Sequence, residues 1–118
     1  MSAGRRVLLV EDERALLMLV GDALEDLQFE VTAVRDGREA MEALEGGGRF
    51  DYVVSDISMP EGVSGLDIAA RAIDADPDAR VILVSGLSRA QLPPLPEGAH
   101  FLPKPYRISQ LLALLGQG

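Results

Sequence analysis

The sequence predicts a doubly wound α/β fold on a five-stranded parallel sheet. Three observations carry that expectation. Apolar runs of strand length alternate with amphipathic segments of helix length, the pattern of repeated βαβ units. The third run, Tyr52 to Ser55, is nearly continuously apolar, as for a strand covered on both faces. Glycine and proline punctuate the chain where helices should stop.

Taken in order, Val7 to Val10 is the first strand, and Glu13 to Gln28 the first helix, with Leu16, Val20, Leu24 and Leu27 at helical spacing on one face. Val31 to Val34 reads as the second strand. Arg38 to Glu45 forms a helix with Ala40, Met41 and Leu44 inward, ended by Gly46, Gly47 and Gly48. Tyr52 to Ser55 is the third strand and should be central. Ser64 caps a third helix through about Ala75, with Leu66, Ala69, Ala70 and Ile73 inward and Pro77 at its exit. Val81 to Ser85 is the fourth strand. Ser88 to Leu92 can form one helical turn at most, because Pro93, Pro94 and Pro96 lack the backbone donor and clash with a continuing helix. Phe101 and Leu102 make a short fifth strand. Ile108 to Leu115 is the last helix, its stripe Ile108, Leu111, Leu112 and Leu115. These elements fit the flavodoxin-like strand order 2-1-3-4-5 with the fourth helix shortened or missing, and a crevice between strands 1 and 3.

Length and composition narrow the function classes. A chain of 118 residues is the size of one ordinary domain, so residues 1–118 are expected to form a single unit. With 47% hydrophobic but only 4% aromatic residues, the core must be built from Leu, Val, Ile and Ala. A net charge of −8 argues against nucleic-acid binding, which needs cations to neutralise phosphates. The absence of cysteine excludes disulfides and thiolate metal sites and fits a cytoplasmic setting. The apolar run behind the basic start stops at Glu11, too short for a signal peptide or a membrane span, so no membrane contact is expected. Oligomeric state is left open.

Polar residues stand directly after the apolar runs: Glu11 with Asp12, Asp56, Ser85, and Lys104 before Pro105. Side chains just past the carboxyl ends of parallel strands converge on one crevice. Carboxylates, a hydroxyl and one ammonium gathered there suit a divalent cation bound beside a phosphoryl group. His100 lies before the short fifth strand, far in sequence from any nucleophile, and reads as a residue without a catalytic role. The methionines read as core filler, or as part of a loop for Met59.

Five blocks in register carry a resemblance to a known family. VLLVEDE (Val7 to Glu13), DYVVSDISMP (Asp51 to Pro60), SGLD (Ser64 to Asp67), VILVSG (Val81 to Gly86) and FLPKPY (Phe101 to Tyr106) resemble the receiver domains of two-component response regulators, the CheY-like superfamily. The resemblance covers nearly the whole chain. It implies a phosphorylation switch in which a histidine kinase or phosphotransfer protein donates a phosphoryl group to Asp56 with Mg²⁺ bound. Asp12 would be a direct ligand of the metal, Glu11 a water-mediated one, and Ser58 would add its backbone carbonyl, which with Asp56 and waters completes six oxygens. Lys104 would neutralise the phosphoryl oxygens, and Lys104-Pro105 is expected to be a cis peptide. Ser85 would donate its hydroxyl to the new phosphoryl group, and Phe101 would be the switch aromatic that turns inward as Ser85 moves. The chain would not be an enzyme beyond taking up and losing its own phosphoryl group.

Two other readings stand beside this one. A degenerate receiver would only bind partners, against which the intact Glu11, Asp12, Asp56 and Lys104 count. A haloacid dehalogenase-like phosphatase also uses an aspartyl nucleophile, but places a second Asp two residues on, where this chain has Ser58. The sequence also departs from the family's pattern. Met59 to Gly65 carries one extra residue, and the stretch between Ser85 and Lys104 is short and proline-rich. Such variants resemble receivers of hybrid sensor kinases and stand-alone regulators. Ser58 and Leu87 stand where dephosphorylation would be tuned.

Overall fold

The computed structural model describes residues 5–59 and 63–116. Five parallel strands, β1 (Arg6–Val10), β2 (Glu30–Val34), β3 (Tyr52–Asp56), β4 (Arg80–Ser85) and β5 (Ala99–Pro103), form one sheet in the order β2-β1-β3-β4-β5. The helices are α1 (Arg14–Asp26), α2 (Gly37–Glu45), α3 (Gly65–Ala75) and α4 (Ile108–Leu114). Between β4 and β5 there is only a 3-10 turn, Arg89–Gln91, where the prolines stop any longer helix.

Both faces of the sheet are covered. One core layer joins Val7, Leu9, Val54, Ile82 and Val84 to α1 and α4 through Leu17, Leu24, Leu111 and Leu115. The other joins Leu8, Val10, Val53, Val81 and Leu83 to α2 and α3 through Ala40, Ile68 and Ala72. Alternate residues of β1 feed opposite layers, and none of Val7 to Val10 is more than 2% exposed. Burial of each such side chain contributes roughly 1.5–3 kcal/mol.

Two helix faces differ from the sequence expectation. On α1 the buried stripe is Leu17, Val20, Gly21 and Leu24, while Leu16 is half-buried and Leu27 is 45% exposed. Apolar residues surround α1, Met18 and Leu19 on its outer side included, so periodicity leaves the phase of the helix ambiguous. The helix also ends earlier, at Asp26, because Gln28 turns to φ 73. On α3 the inward residues are Gly65, Ile68, Ala69 and Ala72; Ala70 is exposed and Leu66 and Ile73 are half-buried. The fifth strand is longer than its two apolar residues, because pairing with β4 runs from Ala99 to Pro103 irrespective of side-chain polarity. The expected extra residue between Met59 and Gly65 falls on a loop of which residues 60–62 lie outside the described part.

Candidate functional site

Each candidate residue is delivered by the end of a strand. Glu11 leaves β1 with its N–H donating to the Val34 carbonyl at 3.1 Å. Asp56 is the last residue of β3, in register with Val84 of β4, and the Ile57 N–H donates to the Val84 carbonyl at 3.0 Å. Ser85 ends β4, and its carbonyl accepts the Lys104 N–H at 2.8 Å just beyond β5. The Lys104-Pro105 peptide is cis.

The exit from β3 is fixed by close packing. Ser64 caps α3 by accepting from Leu66 and Asp67 N–H groups, and Asp67 returns a bond to the Ser64 N–H at 3.1 Å. This seats Gly65 against β3, with its N–H donating to the Ile57 carbonyl at 2.9 Å. A side chain at Gly65 would collide with the Asp56 carbonyl oxygen and the Ile57 Cα, so only glycine allows this approach.

Lys104 reaches across β4 to bind two carboxylates. Its Nζ lies 2.8 Å from Asp56 Oδ1 and 3.0 Å from Glu11 Oε1. Both carboxylates are buried, with side chains 5% and 6% exposed. Glu11 Oε2 accepts the Glu13 N–H at 3.0 Å. Asp56 Oδ2 is buried and has no hydrogen-bond partner among the described residues. Asp12 is exposed at the mouth, and one oxygen from each of Glu11, Asp12 and Asp56 can lie within 4.8 Å of the others. Oxygens alone, two of them buried, suit a hard divalent cation, and the unpartnered Oδ2 is a free ligand position. The surrounding crevice of about 380 Å³ is lined by Asp12, Asp56, Ser58, Ser85, Leu87 and Lys104.

The electrostatics follow from one ammonium facing two carboxylates. Burial, then the hydrogen bond and charge of Glu11, push the Asp56 carboxyl up to about 8 against the pull of Lys104. Burial also opposes ionisation of Glu11, but hydrogen bonds from Asp56, the Glu13 N–H and Lys104 outweigh it and hold its carboxyl low. Lys104 loses hydration on burial, yet the two carboxylates hold its ammonium above the ordinary value. With one ammonium facing two carboxyls, Glu11 keeps the negative charge and Asp56 is the one that holds on to its proton. Tyr106, absent from the sequence reading of the site, is near enough to feel these charges; burial chiefly pushes its phenol up to about 12.

The remaining candidates surround this centre. Ser85 Oγ accepts the Leu87 N–H at 3.0 Å and lines the crevice. Phe101 is half-buried against the second core layer, with the Arg89 guanidinium carbon 5.8 Å from its ring centroid. Nothing in the spacing of Arg89 pointed to that contact, since the crossover lacks periodicity. His100 is exposed on the edge strand β5 and does not line the crevice. A separate hollow of about 310 Å³ near Phe50, Val53 and Ala72 lies at the opposite ends of the strands and, among the described residues, holds no cluster of metal-ligating side chains.

An open parallel sheet in the order β2-β1-β3-β4-β5, with carboxylates and a lysine in the crevice at its switch point, defines the flavodoxin-like doubly wound class. The response regulator receiver domain model matches residues 7–116, and the chain belongs to that family of two-component signalling. The response regulator receiver protein CpdR of Brucella abortus is 32% identical over 111 residues, covering 92% of this chain and 91% of that protein. Sensor kinase CckA of the same organism is 40% identical over 115 residues, covering 94% of this chain but 12% of the kinase. The crystal structure of response regulator TrrA from Thermotoga maritima, a complex with Mg²⁺-BeF, has a TM-score of 0.81 at 28% identity, covering 96% of this chain and 97% of that one.

Proposed function

We propose that the chain, a single receiver unit, accepts a phosphoryl group on Asp56 from a phosphohistidine of a histidine kinase or phosphotransfer protein. The observation that carries this reading is the split environment of Asp56: Oδ1 held by Lys104 at 2.8 Å, Oδ2 buried and unpartnered beside two further carboxylates. A carboxylate oxygen of Asp56 attacks phosphorus; the O–P bond forms as the P–N bond breaks, and the electron pair stays on the donor imidazole, which leaves neutral because its other ring nitrogen carries a proton. The product at Asp56 is an acyl phosphate.

Glu11, Asp12 and Asp56, with the Ser58 backbone carbonyl, would hold Mg²⁺. TrrA, a relative crystallised with Mg²⁺-BeF, supports this choice of cation. When bound, Mg²⁺ neutralises the phosphoryl oxygens and aligns the reactants. The proton held at Asp56 must leave before the carboxylate is a nucleophile, so occupancy by a cation and proton release go together. Lys104, already at the carboxylate, needs little movement to meet the incoming charge. Ser85 donates its hydroxyl to the phosphoryl group, and Phe101 responds as the switch aromatic. No reaction beyond uptake and loss of its own phosphoryl group is assigned. A cytoplasmic location belongs to this reading; among the described residues no helix is long and apolar enough to cross a membrane.

The test is intact-mass spectrometry after incubation with Mg²⁺ and a small phosphoramidate. Wild type should gain one acid-stable, hydroxylamine-labile phosphoryl group, and Asp56→Asn none. Equal labelling of both proteins would overturn the assignment. Whether the domain acts alone or within a longer kinase is a second question. CpdR matches along nearly its full length, CckA through 12% of it. The reading frame flanking this chain decides between them.

A further inference from the structure

The crossover from β4 to β5 is a 3-10 turn followed by a proline-bearing strap. In the turn, Ser88 N–H donates to Gln91 Oε1 at 2.9 Å and Gln91 N–H to the Ser88 carbonyl at 3.0 Å, which holds the intervening backbone in one shape. Leu92 and Leu95 then anchor the strap on the core layer that also receives Leu83 and Phe101. This arrangement carries Arg89 over the Phe101 ring, 5.8 Å from guanidinium carbon to centroid. At its start the same segment is tied to the crevice, because the Leu87 N–H donates to Ser85 Oγ at 3.0 Å.

We propose that Arg89 is a positioning residue: it holds the Phe101 ring at the surface and thereby sets how readily the Asp56 crevice takes an anion. Phe101 is half-buried, and the guanidinium stands over its ring. A ring that turns inward leaves the guanidinium and loses the cation–π contact, which at a partly exposed site biases an equilibrium about two- to fivefold. Linkage is reciprocal. If filling the crevice draws Ser85 and frees the ring to turn, a contact that resists the turn weakens filling by the same factor. The inference rests on the phosphoacceptor reading for its link to the crevice, but not for the contact itself. Its sign is distinctive: Arg89 as a mere positive charge near an anion site would strengthen anion binding, whereas as a clamp it opposes binding.

The experiment is a titration with Mg²⁺ and fluoroberyllate of wild type, Arg89→Ala, Arg89→Lys, Phe101→Leu and the Arg89→Ala/Phe101→Leu double variant, with ring-proton NMR of Phe101 in unloaded protein. Arg89→Ala should bind about two- to fivefold more tightly, Arg89→Lys should fall between it and wild type, and Arg89→Ala should have no effect when Phe101 is already Leu. The Phe101 ring resonances should move in unloaded Arg89→Ala. Equal or weaker binding by Arg89→Ala, an equal gain in the Phe101→Leu background, or unmoved ring resonances overturns the proposal. Failure of wild type to bind would count against the phosphoacceptor reading and remove the link to the crevice, while the ring resonances would still decide the clamp.

Discussion

Lys104 Nζ stands 2.8 Å from Asp56 Oδ1 and 3.0 Å from Glu11 Oε1, so one buried-facing cation balances two buried carboxylates. The imbalance is a stored demand for positive charge. It is met by a proton when nothing else is bound, and a divalent cation meets it better.

Asp56→Asn should stabilise the metal-free protein at alkaline pH. The Asp56 carboxyl is raised from 3.8 to about 8 by folding, so its contribution is fully present below the lower value and is lost as pH rises through the upper one. The variant lacks that loss. Urea unfolding at about pH 8.5 should find it more stable by roughly 1–3 kcal/mol, with the gap closing towards pH 4. A gap that widens on acidification would contradict the assigned direction.

Lys104→Met removes the one cation that faces the buried Glu11 and Asp56 carboxyls. The expected loss is roughly 2–4 kcal/mol at neutral pH, the range for breaking one side of a buried ion pair, moderated here by the lysine's partial exposure. Millimolar Mg²⁺ should restore more stability to this variant than to wild type, which thermal melts with and without the metal will show.

Affinity for Mg²⁺ should rise with pH. Below about 8 the site holds a proton that the metal must displace, so the apparent association constant should climb by up to about tenfold per unit between pH 6 and 8 and then level off. Asp12→Asn should weaken binding throughout without flattening the pH profile, because Asp12 is exposed and shows no part in the Lys104 ion pairs. Calorimetry in two buffers of different ionisation enthalpy reads both the affinity and the proton released.

Gly65→Ala should destabilise by more than about 2 kcal/mol, since the new methyl meets backbone at Asp56 and Ile57 that cannot move without disturbing β3. Ser64→Ala, which removes only the cap of the same helix, should cost about 1 kcal/mol. A smaller effect at Gly65 than at Ser64, in the same denaturant series, would show that the turn relaxes more easily than its contacts imply.

Strand order, a shortened or missing helix between β4 and β5, and the arrival of Glu11, Asp12, Asp56, Ser85 and Lys104 at the carboxyl ends of the strands were all legible in the sequence. The reason is that a strand covered on both faces is mostly apolar along its length, so charged and polar side chains gather just at its carboxyl end, where the crevice lies. The faces of α1 and α3 were not legible to the residue. Apolar side chains lie all round α1, and which of them turns inward depends on where the helix is laid on the sheet, a matter of packing with β1 and β2.

The sequence by itself determined which chemical groups arrive at the carboxyl ends of the strands. Only the tertiary structure decided their charge state and partners. Lys104 lies 48 residues beyond Asp56 in the chain, and β5 is not even a neighbour of β3; the lysine reaches the carboxylates because register seats it beside Ser85 and its side chain is long enough to cross β4. Arg89 likewise meets Phe101 only because the crossover folds back on the sheet. Local patterns carry periodicity and polarity, whereas ion pairs, desolvation and ring contacts depend on distances between strands, which come into being only when the sheet closes.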